Sequence, residues 1–214
     1  MPIEEFKKDG VEYYVDTNTG AISYMKVMSK DAQIINIPSV TQKGRTITSF
    51  GSSSHVLSSC LAENVEIRLP DTITYIGKSA FYYDKFVTKL IMPNNVTIIG
   101  EAAFEFSRIK EVVWPEMCRV IPPLCFRGSK LNKFIGGRRL DTIKEGAFSH
   151  CYLSVADFSR CQLTEIPFDA LLDAFYVRKI IPPYYSECSE DTALYYGYNI
   201  EKDGTLTNED TPAS

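Results

Sequence analysis

The chain has 214 residues, 44% of them hydrophobic, and its 23 basic and 27 acidic side chains give a formal net charge of −4. The hydrophobic content excludes a wholly disordered chain, and the mild acidity argues against binding of nucleic acid, which needs clustered Lys and Arg. No stretch reaches the ~18 apolar residues of a membrane-spanning helix. The first eight residues (MPIEEFKK) are charged and lack the apolar region of a signal peptide, so we expect no secretory signal here.

A β-hairpin is predicted near the N-terminus, over residues 11–27 (VEYYVDTNTGAISYMKV). Apolar residues alternate on both sides of Asp-Thr-Asn-Thr-Gly, which is a strong turn signal. We assign the hairpin to an N-terminal cap, residues 1–33, that covers the apolar end of the structure that follows.

An internal repeat occupies the middle of the chain. The phrase Ile-Gly-x-x-Ala-Phe occurs at residues 76–81 and again at 99–104, and related phrases follow at 121–126, 143–148 and 166–171. The steps between them are 22 or 23 residues. An apolar residue three positions before each isoleucine keeps the same phase, and so does a proline that closes a strand, at Pro70, Pro93, Pro115 and Pro182. One unit is too small to bury its own apolar face, so neighbouring units must stack.

Stacked units place equivalent residues in columns that run through the core. We predict a phenylalanine column, an isoleucine column and a column of small residues where the backbone approaches the next coil. In chain order these columns are Phe81, Phe104, Phe126, Phe148 and Leu171; Ile76, Ile99, Ile121, Ile143 and Ile166; and Ala80, Ala103, Cys125, Ala147 and Ala170.

The pattern departs from regularity in three places. The first unit, around Ile35 and Pro38, is out of phase with the next proline, Pro70, which predicts an inserted serine-rich loop over residues 51–60. The unit at Gly136 and Gly137 lacks the proline. The unit around Phe158 is also degenerate.

The recurring pattern of strand, Pro, x-x-Val/Ile, x-x-Ile-Gly and x-x-Ala-Phe resembles the BspA-type leucine-rich repeat family, most clearly in residues 90–107 (LIMPNNVTIIGEAAFEFS). The resemblance implies a mainly β, right-handed leucine-rich repeat solenoid, here of about six coils over residues 34–183. It also implies an extracellular or cell-surface location and a role in adhesion or protein binding, with a cytoplasmic location as the alternative. It implies no catalytic residues and no cofactor.

The strand-lined side of the solenoid is the predicted partner site, for a protein or peptide. Side chains alternate along strands, so residues one and three before each proline position should face inward and the residues between them outward. The first outward row is Arg68, Ile91, Val113, Ile135, Asp157 and Ile180, and the second is Glu66, Lys89, Glu111, Lys133, Val155 and Arg178. Contiguous exposed apolar residues often mark interaction sites, although β-branched residues also favour strands for local reasons.

Catalysis and glycan binding are the competing functions. His150 adjoins Cys151, but sequence neighbours rarely share a catalytic geometry, and Cys151 fits a small core position. Cys118 and Cys125 are likewise expected to be buried, whereas Cys60, Cys161 and Cys188 fall outside the columns. The chain lacks the spacing of a zinc site or a calcium loop. A glycan-binding adhesin remains an alternative, although Trp114 is predicted to face inward.

At the C-terminus, a tyrosine-rich cap is predicted over residues 184–204, with a short helix at 189–196. Tyrosine can seal an open core end while its hydroxyl stays solvated. Residues 205–214 are polar and predicted to be disordered.

Overall fold

The computed structural model describes residues 2–51, 56–174, 177–183, 199–200 and 205–207. Most of the predicted tyrosine-rich cap, its short helix, His55 and Cys188 lie outside the described residues. Within them the chain is almost entirely β, with one 3-10 turn at Phe168–Leu171. The part of the chain that the structure describes contains no helix with the length and hydropathy needed to cross a bilayer.

Two runs of parallel strands, one long and one short per coil, build the solenoid, as the repeat predicts. The long sheet contains β4 (Ile34–Asn36), β7 (Val65–Arg68), β9 (Val87–Ile91), β11 (Glu111–Val113), β13 (Lys133–Ile135), β15 (Val155–Asp157) and β16 (Lys179–Ile181), followed by β18 (Leu206–Thr207) and β17 (Asn199–Ile200). The short strands are β5 (Ser49–Phe50), β8 (Tyr75–Ile76), β10 (Ile98–Ile99), β12 (Val120–Ile121) and β14 (Thr142–Ile143).

The predicted N-terminal hairpin is present as β2 (Val11–Asp16) and β3 (Ala21–Val27), paired antiparallel. In its turn, Asp16 Oδ1 accepts a hydrogen bond from the Asn18 N–H at 2.8 Å. A strand that was not predicted, β1 (Ile3–Lys8), pairs antiparallel with β2. Since β3 pairs parallel with β5, the hairpin continues the sheet of short strands.

Two segments predicted to be irregular are strands. Part of the expected serine-rich loop is β6 (Leu57–Cys60), which pairs with β3. The start of the expected disordered tail is β18, which pairs antiparallel with β16 and β17. In both cases a strand edge offers backbone partners that composition alone does not reveal.

The phenylalanine column forms as predicted. The rings of Phe81, Phe104, Phe126 and Phe148 stack with centroid separations of 5.4, 5.1 and 5.4 Å. Phe50 extends the stack by one ring, at 5.0 Å from Phe81, although its backbone pairs at the isoleucine position, opposite Ile76.

Backbone hydrogen bonds tie the small-residue column to the stack. Each phenylalanine N–H donates to the carbonyl of the small residue in the next coil, at 2.7–2.9 Å, from Phe81 to Ala103, Phe104 to Cys125, Phe126 to Ala147 and Phe148 to Ala170. A larger side chain at the small position would push these backbones apart, which explains why only Ala and Cys occur there.

One junction between coils has incomplete pairing in both sheets. Between β9 and β11 the register contains one residue pair, Lys89 with Glu111, whereas β11 and β13 share three. Among the described short strands, β10 and β12 do not pair at all. We call this place, where the coil of β9 and β10 meets the coil of β11 and β12, the open junction.

Pro122 explains one of the hydrogen bonds that the short strands lack at this junction. At the equivalent positions, the N–H of Gly100 donates to Ile76 O at 2.9 Å and the N–H of Lys144 donates to Ile121 O at 3.0 Å. Proline has no N–H, so the matching bond to the Ile99 carbonyl cannot form.

Candidate binding surface on the strand face

The outward side chains of the long sheet form the surface that we call the strand face. Its central row follows the predicted alternation: Arg68, Ile91 and Val113 are exposed, while Ile135 and Asp157 are half-buried. The residues expected inward, such as Ile67, Val112 and Phe134, are fully buried. Ile91 and Val113 keep 42% and 58% of their surface exposed, so this face presents two large apolar side chains to solvent.

The prediction is wrong at the last strand. Ile180, expected in the outward row, is 1% exposed, and it pairs with the buried Ala156. Ile181 pairs with Asp157 instead, and Lys179 rather than Arg178 pairs with Val155. The expected alignment used Pro182, the first of two adjacent prolines, whereas in the structure Pro183 takes the equivalent position.

A charged row runs beside the apolar one. In register across the sheet lie Glu66, Lys89, Glu111 and Lys133. Glu66 pairs with Lys89 at 2.9 Å and with Arg68 at 2.6 Å. These hydrogen-bonded cations lower the pKa of the Glu66 carboxyl, so it stays charged. The strand face therefore combines apolar side chains with fixed charges of both signs.

A depression of about 250 Å³ lies at the open junction. Its lining residues are Lys89, Leu90, Ile91, Met92, Glu111 and Val113. Four of them belong to the outward rows that the sequence analysis had selected. The depression itself was not predicted, because strand alternation says where side chains point and not how far apart two strands lie.

The structure does not support Cys151 as a nucleophile. Cys151 is fully buried, and burial raises the pKa of its thiol to about 12. Its neighbour His150 is partly exposed, with Nε2 at 4.0 Å from Asp173 Oδ2. A thiol with so high a pKa supplies almost no thiolate at neutral pH.

The other cysteines follow the columns in part. Cys118 and Cys125 are buried as predicted, and burial raises the pKa of Cys118 to about 11. Cys60, which falls outside the predicted columns, is also buried, since β6 packs it beside β3, and its thiol reaches the carbonyl of Ala62 at 3.3 Å. Among the described residues, no cluster of His, Cys, Asp and Glu could hold a metal ion.

A second surface, which was not predicted, carries exposed aromatic residues. Trp114 is fully buried, as predicted. Tyr82 and Tyr83 are exposed, with ring centroids 5.2 Å apart, and the Tyr83 ring lies 5.0 Å from Phe106. The guanidinium of Arg127 lies 5.9 Å from the centre of the Phe106 ring. The repeat could not predict this patch, because Tyr83 and Phe106 occupy equivalent positions in successive coils and the next coil has Gly128 there.

Comparison with protein families gives a match to the BspA type leucine rich repeat region, in six copies over residues 53–179. A search of the curated proteins gives no match. Among solved structures, the chain is similar to a leucine rich cell surface protein from Faecalibacterium prausnitzii A2-165, with 18% sequence identity, a TM-score of 0.51 and coverage of 94% of this chain. It is also similar to the pneumococcal vaccine antigen PcpA, with 16% identity, a TM-score of 0.50 and coverage of 86% of this chain and 71% of PcpA. The chain spans 57% of the length of the Faecalibacterium protein.

Proposed function

Because this chain belongs to the BspA-type leucine-rich repeat family, we propose that it is a non-catalytic protein-binding module that acts at a cell surface in adhesion, with the strand face as its binding surface. The observation that carries the proposal is the pair of uncovered apolar side chains, Ile91 and Val113, bordered by fixed charges. Apolar side chains in a polar rim are the composition of protein interfaces. A surface location is supported by the structural neighbours, one of which is described as a cell surface protein.

The β-branched character of these residues has a second explanation, since such residues favour strands wherever they lie. The adjoining outward positions favour the binding interpretation. Arg68 and Asp157 occupy the same row on flanking coils, so strand propensity alone does not dictate an apolar side chain there.

The test is a double substitution, Val113→Asp with Ile135→Asp, assayed by capture from a panel of purified extracellular proteins. Loss of two central apolar contacts should weaken capture by roughly 30-fold or more, the effect of removing about 2 kcal/mol at an interface. The matched control is Ile98→Asp, because Ile98 is 57% exposed on the short strands, away from the strand face. Unchanged capture by a folded double variant would show that the partner binds elsewhere.

Glycan binding is the second candidate, and the Tyr82–Tyr83–Phe106 patch favours it, since exposed aromatic rings pack well against the apolar faces of sugars. Tyr83→Ala should abolish binding on a glycan array while leaving protein capture intact. Absence of glycan binding by the unmodified chain would remove this candidate.

A further inference from the structure

We propose that the open junction is a docking notch for an extended peptide segment of the partner, one that brings an apolar side chain, a main-chain amide and a nearby cation. This inference deepens the proposed function, because it assigns the chemistry of the partner to one place on the strand face.

The backbone at the notch carries a donor and an acceptor without protein partners. At the other junctions, the first residue after each long strand donates its N–H to the last strand residue of the next coil. These bonds are Ile37 to Arg68, Leu69 to Ile91, Trp114 to Ile135, Gly136 to Asp157 and Phe158 to Ile181, at 2.8–3.0 Å. The equivalent bond from Met92 N–H to Val113 O is missing, and among the described residues neither group has another partner.

Unpaired backbone groups gain more from a hydrogen-bonding ligand than from an apolar one, because covering them without a bond is unfavourable. A peptide amide supplies both complements: its carbonyl can accept from Met92 N–H, and its N–H can donate to the Val113 carbonyl. An extended segment is therefore a better occupant than a smooth apolar surface, which would bury both groups unsatisfied.

The walls of the notch select the side chains. Ile91 on β9 and Val113 on β11 both line it, and so does the partly buried Met92. Methionine side chains adapt to differently shaped apolar groups, so the notch should accept one aliphatic or aromatic residue without a strict choice among them.

The charged side chains at the rim determine which charge the partner should carry near its apolar residue. Lys89 is already held by Glu66 at 2.9 Å. Glu111, in register with Lys89, has no cation within 4.0 Å among the described residues. A Lys or Arg one or two positions from the inserted apolar side chain would pair with Glu111, whereas an acidic residue there would be repelled.

The test uses a phage-displayed library of random 12-residue peptides panned against the immobilised full chain, followed by affinity measurement with the best synthetic peptide. We expect the enriched peptides to share an apolar residue with Lys or Arg within two positions. Val113→Asp should raise Kd at least tenfold, and Glu111→Lys several-fold. Replacing the cation of the peptide by Glu should restore binding to the Glu111→Lys variant. Ile98→Asp serves as the matched control and should leave Kd unchanged.

The backbone part of the proposal has its own probe. N-methylation of the peptide amide at the apolar residue removes the donor to the Val113 carbonyl and should weaken binding by about tenfold, the effect of losing one hydrogen bond to a desolvated group. Failure to enrich any peptide would overturn the inference, and so would a peptide whose affinity is indifferent to Glu111→Lys and to N-methylation. If protein capture still depends on Val113 and Ile135 in that case, the proposed function stands and only the notch is wrong.

Discussion

Gly136 lies where a side chain has almost no room, and this gives a sharp test of how the coils pack. A Cβ built on Gly136 would lie 2.1 Å from Cys161 Sγ, while its next neighbours, Asp157 O and Leu140 Cδ2, are at 3.4 and 3.5 Å. Non-bonded heavy atoms attract best at about 3.5–4.0 Å, so Gly136→Ala requires a shift of about 1.5 Å at the sulfur alone. Overpacking of this size destabilises a core by about 1–3 kcal/mol.

Because one atom causes the conflict, removing that atom should relieve it. Cys161→Ala alone should cost about 1 kcal/mol, since the lost sulfur is only partly buried. The double variant should be close to Cys161→Ala alone, which gives a favourable coupling of about 1–3 kcal/mol, equal to the cost of Gly136→Ala. Gly137→Ala is the matched control: its Cβ would lie 2.5 Å from the carbonyl oxygen of Pro115, a backbone conflict that Cys161→Ala cannot relieve.

Urea unfolding measures these four variants and the combination of Gly137→Ala with Cys161→Ala. It is followed by the fluorescence of Trp114, the one tryptophan in the chain, which is fully buried. Far-UV circular dichroism should give the same transitions, which checks that a single free energy of unfolding applies. Additivity of Gly136→Ala and Cys161→Ala within about 0.5 kcal/mol would refute the proposed contact.

Three further changes probe the stack, the open junction and a buried thiol. Phe126→Ala should lower the free energy of unfolding by about 3–5 kcal/mol, which is more than the loss expected for Phe50→Ala. The reason is that Phe126 meets four aromatic rings at 5.1–6.0 Å, whereas Phe50 stacks on one at 5.0 Å. Equal losses of stability in urea unfolding would contradict this. Pro122→Lys restores an N–H opposite the Ile99 carbonyl, so hydrogen–deuterium exchange should slow at the neighbouring amides of the short strands, and unchanged exchange there would count against proline as a cause of their interrupted pairing. Burial raises the pKa of Cys151 to about 12, above about 8.5 in the unfolded chain, so its contribution to stability is complete below pH 8.5 and is lost as the pH rises toward 12. Cys151→Ala should therefore lessen the fall in stability between pH 9 and 11 by about 1.4 kcal/mol per pH unit, and an unaltered slope would mean that the thiol is solvated.

The core could be predicted from the sequence because repetition supplies its own alignment. Each coil places Phe, Ile and a small residue at fixed steps, and the parallel registers, such as Ile76 with Ile99, follow directly. The prediction failed at Ile180, because the adjacent Pro182 and Pro183 allow two alignments of the last repeat and the wrong one places Ile180 outward. It was incomplete where a side chain crosses between columns, since Phe50 pairs at an isoleucine position yet stacks with the phenylalanines.

The candidate site was predictable only in part. Strand alternation selected Ile91 and Val113, and their exposure confirms that they point outward. The gap between them depends on hydrogen bonds that form or fail across coils, which residue types in a single strand do not encode. For the short strands of the same junction, Pro122 was a usable signal, because it stands where neighbouring coils have Gly100 and Lys144 and lacks the N–H that they donate.

The opening at this junction is confined to the two sheets and does not reach the core. Across it, Phe104 and Phe126 stack at 5.1 Å, and the Phe104 N–H donates to the Cys125 carbonyl at 2.9 Å. A general loosening of the solenoid would lengthen these contacts first, because they hold the same two coils together. The ring separation is no longer than the 5.4 Å of the neighbouring junctions, and the hydrogen bond stays close to their 2.7 Å, so the coils are anchored on the core side and open at the strand face. Unpaired backbone groups are thereby held in a fixed place, and a preorganised site of this kind binds with less loss of conformational entropy than a flexible one.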